Sequence, residues 1–140
     1  MLTNNLIQEL NKALPSKNIL SEIEERYVYS VDASNDPYAK SEMPDAIVFV
    51  ENIEQVQKVV KIANKQLTPI ICRGAGTNTV GACVATHGGI ILNFSKMNKI
   101  LEINPENMTA RVQPGVVVGD LQREVEKIGL FYPPDPSNLK

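Results

Sequence analysis

Apolar positions recur along the chain in two rhythms, one helical and one extended. Leu6, Ile7, Leu10 and Leu14 fall on one face of a helix that Thr3 can cap and that ends near Pro15. Ser21, followed three residues on by Glu24, suits a capping box for a short second helix over residues 21–27. Residues 32–44 are rich in Asp, Ser, Asn and Pro and predict an extended surface loop. Ala46-Ile47-Val48-Phe49-Val50 is a continuous apolar run, expected of a strand covered on both faces. Asn52 then caps a helix in which Ile53, Val56, Val59, Val60 and Ala63 recur at helical spacing, and Pro69 to Cys72 is a second short strand. Strand, helix and strand joined by short links predict a right-handed crossover with a parallel pair. Residues 89–94, 99–103 and 108–113 predict three further strands. The last two flank Asn104-Pro105-Glu106-Asn107, a turn sequence, and so form an antiparallel hairpin. A final helix over residues 118–128 stops at Gly129. The pattern predicts an α+β fold, a small parallel β-α-β unit followed by a mixed or antiparallel sheet with flanking helices.

Composition narrows the function classes. The chain has 140 residues, 43% of them apolar and 21% charged, as expected of one domain or less with a real core. Fourteen Lys and Arg stand against 16 Asp and Glu, for a net charge of -2. That balance argues against nucleic acid or an anionic membrane surface as partner, since both need a clustered basic footprint. No apolar stretch approaches the ~20 residues of a membrane span, and no basic segment precedes an apolar core at the N-terminus. Cys72 and Cys83 are too far apart for a C-x-x-C pair, and with His87 the single histidine no zinc site is expected. Both cysteines read as reduced thiols of a cytoplasmic protein.

The segment that carries chemistry is Arg73-Gly74-Ala75-Gly76-Thr77-Asn78-Thr79-Val80-Gly81. Glycines let a backbone turn tightly and bring its N–H groups to a bound anion without Cβ obstruction. Thr77, Asn78 and Thr79 add side-chain donors. A Walker loop is excluded, because no lysine lies between Lys65 and Lys96. A Rossmann fingerprint needs a glycine where Thr79 stands and a helix directly after it. A glycine-rich turn with no ligand accounts for the same residues equally well.

Several ordered blocks resemble one family. Pro44 to Val50, the helix from Glu54-Gln55-Val56 and Ile70 to Asn78 are similar, in order and spacing, to the FAD-binding (PCMH-type) domain of the vanillyl-alcohol oxidase/p-cresol methylhydroxylase superfamily. Val112-Gln113-Pro114-Gly115-Val116 and Phe131-Tyr132-Pro133-Pro134-Asp135-Pro136-Ser137 agree with it. Tyr29-Ser30-Val31-Asp32-Ala33-Ser34 resembles the branch that contains GlcD-type glycolate oxidases and D-lactate dehydrogenases. The resemblance implies an N-terminal helical segment and loop over residues 1–43 and an FAD-binding domain over 44–140, incomplete at its C-terminal end.

It further implies cofactor contacts at Arg73, Gly74, Ala75, Gly76, Thr77, Asn78 and Gly81 around the FAD pyrophosphate. Gly115 and Val116 would approach the flavin side, with Pro134, Asp135, Pro136 and Ser137 lining the other side. Covalently flavinylated relatives carry a histidine after the loop's last glycine. Thr77 stands there, so non-covalent FAD is expected, with His87 an ordinary turn residue and Cys72 and Cys83 packing residues. In the family a separate substrate domain supplies catalysis, so no residue here is expected to be catalytic, and Asp120, Glu124 and Glu126 read as a solvated helix face.

The implied activity is that of a 2-hydroxy-acid oxidoreductase passing hydride from substrate to flavin. The implied partners are FAD, a small 2-hydroxy acid in the full-length enzyme, other oxidase subunits and further copies of this chain. The location would be cytoplasmic, or peripheral to the inner face of a membrane within a complex. Two alternatives stand beside it. One is a non-catalytic nucleotide-binding or subunit-assembly module with no turnover alone. The other is a different branch of the superfamily, such as a cell-wall precursor reductase or a molybdenum hydroxylase flavin subunit, which Tyr29–Ser34 and Pro133–Ser137 fit less well. With part of the site elsewhere, weak or no FAD retention through purification is expected.

Overall fold

The computed structural model describes residues 2–34 and 43–134. The chain divides into two compact units, Met1–Lys96 and Met97–Lys140. The first unit runs α1 (Leu2–Ala13), a 3-10 turn (Ser16–Asn18), β1 (Ile19–Leu20), α2 (Ile23–Tyr27), β2 (Ala46–Phe49), α3 (Ile53–Lys65), β3 (Ile70–Arg73) and β4 (Ile90–Asn93). Its sheet has the order β1-β2-β4-β3, with β1 antiparallel to β2 and both β2 and β3 parallel to β4. The expected β-α-β crossover forms, but its strands are not neighbours. β4 lies between them, so that Ile91 is in register with both Ile47 and Ile71. The reason is burial. All four residues of β4 are buried, whereas β3 has half-buried Ile70 and Ile71 and an exposed Cys72, which suits an edge.

The helices follow their apolar stripes with three departures. α1 buries Leu6, Leu10 and Leu14, but it begins at Leu2, so Thr3 lies inside the first turn rather than ahead of it. α2 begins at Ile23 with Glu22 as N-cap and no side-chain capping bond, so the Ser21–Glu24 box does not form. In α3 the stripe turns inward at Val59 and Ala63, while Ile53 and Val60 remain 64% and 46% exposed.

The α3 cap is the one the residues announce. Asn52 Oδ1 accepts from the Gln55 N–H at 2.9 Å, and Gln55 Oε1 reaches back to the Glu51 N–H at 2.8 Å. Two orphan donors are met reciprocally, which also explains why the polar Gln55 is buried. Asn52→Ala should therefore cost about 0.5–2 kcal/mol of stability by chemical denaturation. An unchanged midpoint would contradict the cap.

The second unit contains β5 (Ile100–Asn104), β6 (Thr109–Val112) and α4 (Val118–Glu126). β5 and β6 form the expected antiparallel hairpin, with an irregularity between Ile100 and Glu102. Asn104 Oδ1 accepts the Asn107 N–H at 2.9 Å and closes the turn. α4 buries Leu121 and Val125, and the chain leaves it through Gly129 at φ 76°, with the Leu130 N–H returning to the Val125 carbonyl. Asp120 and Glu124 pair with Arg123 and Lys127 on the exposed face. Among the described residues, no helix is long and apolar enough to cross a membrane.

Candidate functional site

The glycine-rich segment leaves the carboxyl end of β3 as irregular backbone through residue 83, with neither helix nor strand. That end of a parallel sheet is where open α/β folds take ligands. Gly76 adopts φ 75° and Gly81 φ 73°, conformations that side-chain-bearing residues rarely take. A Cβ on Gly76 would also overlap the Arg73 guanidinium. Among the described residues, no backbone N–H from Gly74 to Thr79 meets an acceptor within the protein. Asn78 organises the second half of the loop, since its Oδ1 accepts from the N–H groups of Val80 (3.2 Å) and Ala82 (3.0 Å). Its Nδ2 is buried without a hydrogen-bond partner among the described residues. The result is a run of donors with no counterpart among the described residues.

The rest of the first unit holds the loop from beneath. Arg73 is 9% exposed, and its Nη1 donates to the carbonyls of Val31 at 2.8 Å and Tyr29 at 3.4 Å. The guanidinium lies 5.4 Å from the centroid of the Tyr29 ring, which meets Phe49 edge-on. Asp32 Oδ1 accepts the Ser34 N–H at 2.9 Å, and its Oδ2 accepts the Cys83 N–H at 3.3 Å. Partial burial pushes the Asp32 carboxyl up, but the bonds from Ser34 and Cys83 outweigh it and leave the group below its usual range. The Asn78 amide faces the carboxylate closely enough to add to that lowering without reaching hydrogen-bonding geometry. Burial raises the Cys83 thiol, against the nearby Arg73 charge, and Cys83 Sγ lies 3.5 Å from the Cys72 carbonyl oxygen. Cys72 and Cys83 are both free.

The structure thus brings Arg73, Gly74, Ala75, Gly76, Thr77, Asn78 and Gly81 into one loop. Arg73 differs from the others. Its side chain is committed to carbonyls of the fold and its own carbonyl to the Phe94 N–H. Gly115 and Val116 belong to the second unit, where their N–H groups are taken by the carbonyls of Met97 and Gln113. Pro134 is exposed, its carbonyl accepting from Gln122 at 2.9 Å. Asp135, Pro136 and Ser137 lie outside the described residues. His87 is exposed beside Thr86, whose hydroxyl is 3.0 Å from its Nδ1. Sequence reasoning missed Asp32 as part of this arrangement, although it stands within the Tyr29–Ser34 block. A carboxylate in a loop gives no periodic signal, and its partner Cys83 is remote in sequence.

The donor set suits a dinucleotide pyrophosphate. Unpaired N–H groups and an orphaned amide accommodate anionic oxygens, and the nearby Asp32 carboxylate turns both of its oxygens to protein N–H groups. Comparison with known proteins bears on the family and its cofactor. A family model described as FAD binding domain matches residues 44–140. The chain is 43% identical over its whole length to glycolate oxidase subunit GlcD of Bacillus subtilis, of which it spans 29%. It is 36% identical over 91% of its length to D-lactate dehydrogenase of Anaerostipes hadrus, again 29% of that protein. Among solved structures, p-cresol methylhydroxylase with substrate bound superposes with a TM-score of 0.79 at 33% identity, over 92% of this chain and 25% of that one. The chain spans under a third of the length of each of these relatives. On the match over residues 44–140, the chain belongs to the FAD binding domain family, with FAD as its cofactor.

Proposed function

We propose that the loop from Arg73 to Gly81 holds the pyrophosphate of non-covalently bound FAD within an enzyme that oxidises 2-hydroxy acids. The observation that carries this reading is the row of N–H groups from Gly74 to Thr79 that meet no acceptor among the described residues. The backbone of Gly74 to Asn78 and the Thr77 hydroxyl would donate to phosphate oxygens, with Arg73 shaping the loop from beneath. Gly115 and Val116 are assigned to the flavin side, and Pro134 to Ser137 to the other side. Threonine rather than histidine follows Gly76, which supports a dissociable cofactor. When bound, FAD supplies a two-electron acceptor for hydride. The substrate class rests on relatives whose names share a 2-hydroxy acid: glycolate, D-lactate and, at 38% identity, D-2-hydroxyglutarate in Stutzerimonas stutzeri. Two unpaired thiols fit a cytoplasmic setting.

The test uses the full-length enzyme under anaerobic conditions. Glycolate, D-lactate or D-2-hydroxyglutarate should bleach the flavin and yield the matching 2-oxo acid. A flavin that stays oxidised with all three would sink the substrate assignment. Self-association and docking to other oxidase subunits belong to the same proposal. They are supported by an apolar cavity of about 200 Å³ in the second unit, bordered by Met108 and Phe131, which are 74% and 72% exposed. Light scattering that shows only monomer at high concentration would count against self-association.

A further inference from the structure

We infer that Asp32 is a positioning residue for the cofactor loop, fixing its far end through the Cys83 N–H while Arg73 fixes the near end. This deepens the pyrophosphate reading of the loop and rests on it.

From Gly74 to Thr79 the loop has no internal hydrogen bonds among the described residues, and its second half has those to Asn78 Oδ1. Ordering such backbone on binding costs conformational entropy at every residue, so affinity depends on how far the ends are already held. Arg73 is paired into β3 and grips the carbonyls of Tyr29 and Val31. Asp32 follows directly in that gripped segment and takes the Cys83 N–H with one oxygen while Ser34 holds the other. Tyr29 rests on Phe49 of β2, which ties the segment to the sheet. The path from β3 through residues 29–34 to Cys83 is closed, and both ends of the glycine loop are held by a single short stretch of chain.

The residue type matters. Two N–H donors arrive from different directions, so two acceptor oxygens are needed, and a carboxylate has them. An asparagine of nearly the same shape has one, and would turn its NH2 toward a donor. Asp32→Asn therefore removes one charge-assisted bond and leaves the volume unchanged.

The experiment compares the full chain with its Asp32→Asn and Asp32→Glu variants. Three quantities are read: hydrogen exchange at the amides of Val80, Ala82 and Cys83, melting temperature without ligand, and dissociation constants for FAD and for riboflavin, which lacks the pyrophosphate. In Asp32→Asn the three amides should exchange at least about tenfold faster, and FAD should bind about ten- to a hundredfold more weakly. Riboflavin binding and the melting temperature should hardly move, and Asp32→Glu, with both acceptors, should recover part of the loss. Unchanged exchange at these amides overturns the inference. So does faster exchange spread over the whole chain, an equal loss for FAD and riboflavin, or unchanged FAD affinity with a loosened loop. If the full-length enzyme takes up no FAD, the cofactor reading is what fails. The exchange comparison then still decides whether Asp32 holds the loop.

Discussion

Gly76→Asp should abolish FAD binding while leaving the sheet intact. Three costs add at that position. The backbone sits at φ 75°, where a side-chain-bearing residue pays roughly 1–2 kcal/mol. The new Cβ would overlap the Arg73 guanidinium, which cannot swing away freely because Tyr29 and Val31 hold it. The new carboxylate would then face a phosphate. At about 4 Å and an effective dielectric near 20, two like charges repel by about 4 kcal/mol. That repulsion alone exceeds two orders of magnitude in affinity, so flavin-fluorescence titration should show at least about a hundredfold weaker binding. Gly76→Ala keeps the strain without the charge and should fall in between. Binding of FAD by Gly76→Asp within tenfold of wild type would remove the loop from the site.

Ile91→Ala should be the most damaging single truncation in the first unit's sheet. Ile91 is fully buried in the middle of β4, and both flanking strands pair against it. Truncating such a residue costs about 2–5 kcal/mol, a large share of the 5–15 kcal/mol or so that holds a typical domain together. Ile71→Ala, on the edge strand β3 and half-buried, should cost clearly less. The comparison by urea denaturation tests the strand order itself. Equal losses at the two positions would argue against β4 as the central strand.

The elements themselves were legible because each carries its own periodicity. β2 and β4 are continuous apolar runs, α3 has a cap residue beside its stripe, and the hairpin of β5 and β6 is punctuated by Asn-Pro-Glu-Asn. Strand order was not legible. A crossover of two parallel strands says nothing about a third strand that inserts between them, and this was settled by which strand could be buried on both faces. β1 left no trace in the pattern because two residues carry no period. The Ser21–Glu24 box failed because capping depends on where the helix starts, and α2 starts at Ile23, one residue too late for it. The glycine loop stood out as a place where backbone comes close to a ligand. Its supports did not, because the Arg73–Val31 and Asp32–Cys83 bonds join residues that are distant in sequence and unremarkable where they stand.

An acid titration offers a further check on those supports. The Asp32 carboxyl lies below its usual range in the folded chain, so its contribution is complete above the ordinary carboxylate pKa of about 3.9 and is lost as pH falls through the lowered value. The amides of Val80, Ala82 and Cys83 should keep their protection at neutral pH and shed it only in strong acid. Loss of protection near pH 6 would point to another group.

The most direct measurement on the central claim is a titration of the isotope-labelled chain with FAD, following the amide resonances of the loop by NMR. The N–H groups of Gly74 to Asn78, without an acceptor among the described residues, should shift together and saturably as phosphate oxygens reach them. If those resonances stay fixed at FAD concentrations that saturate shifts elsewhere, this loop does not hold the pyrophosphate.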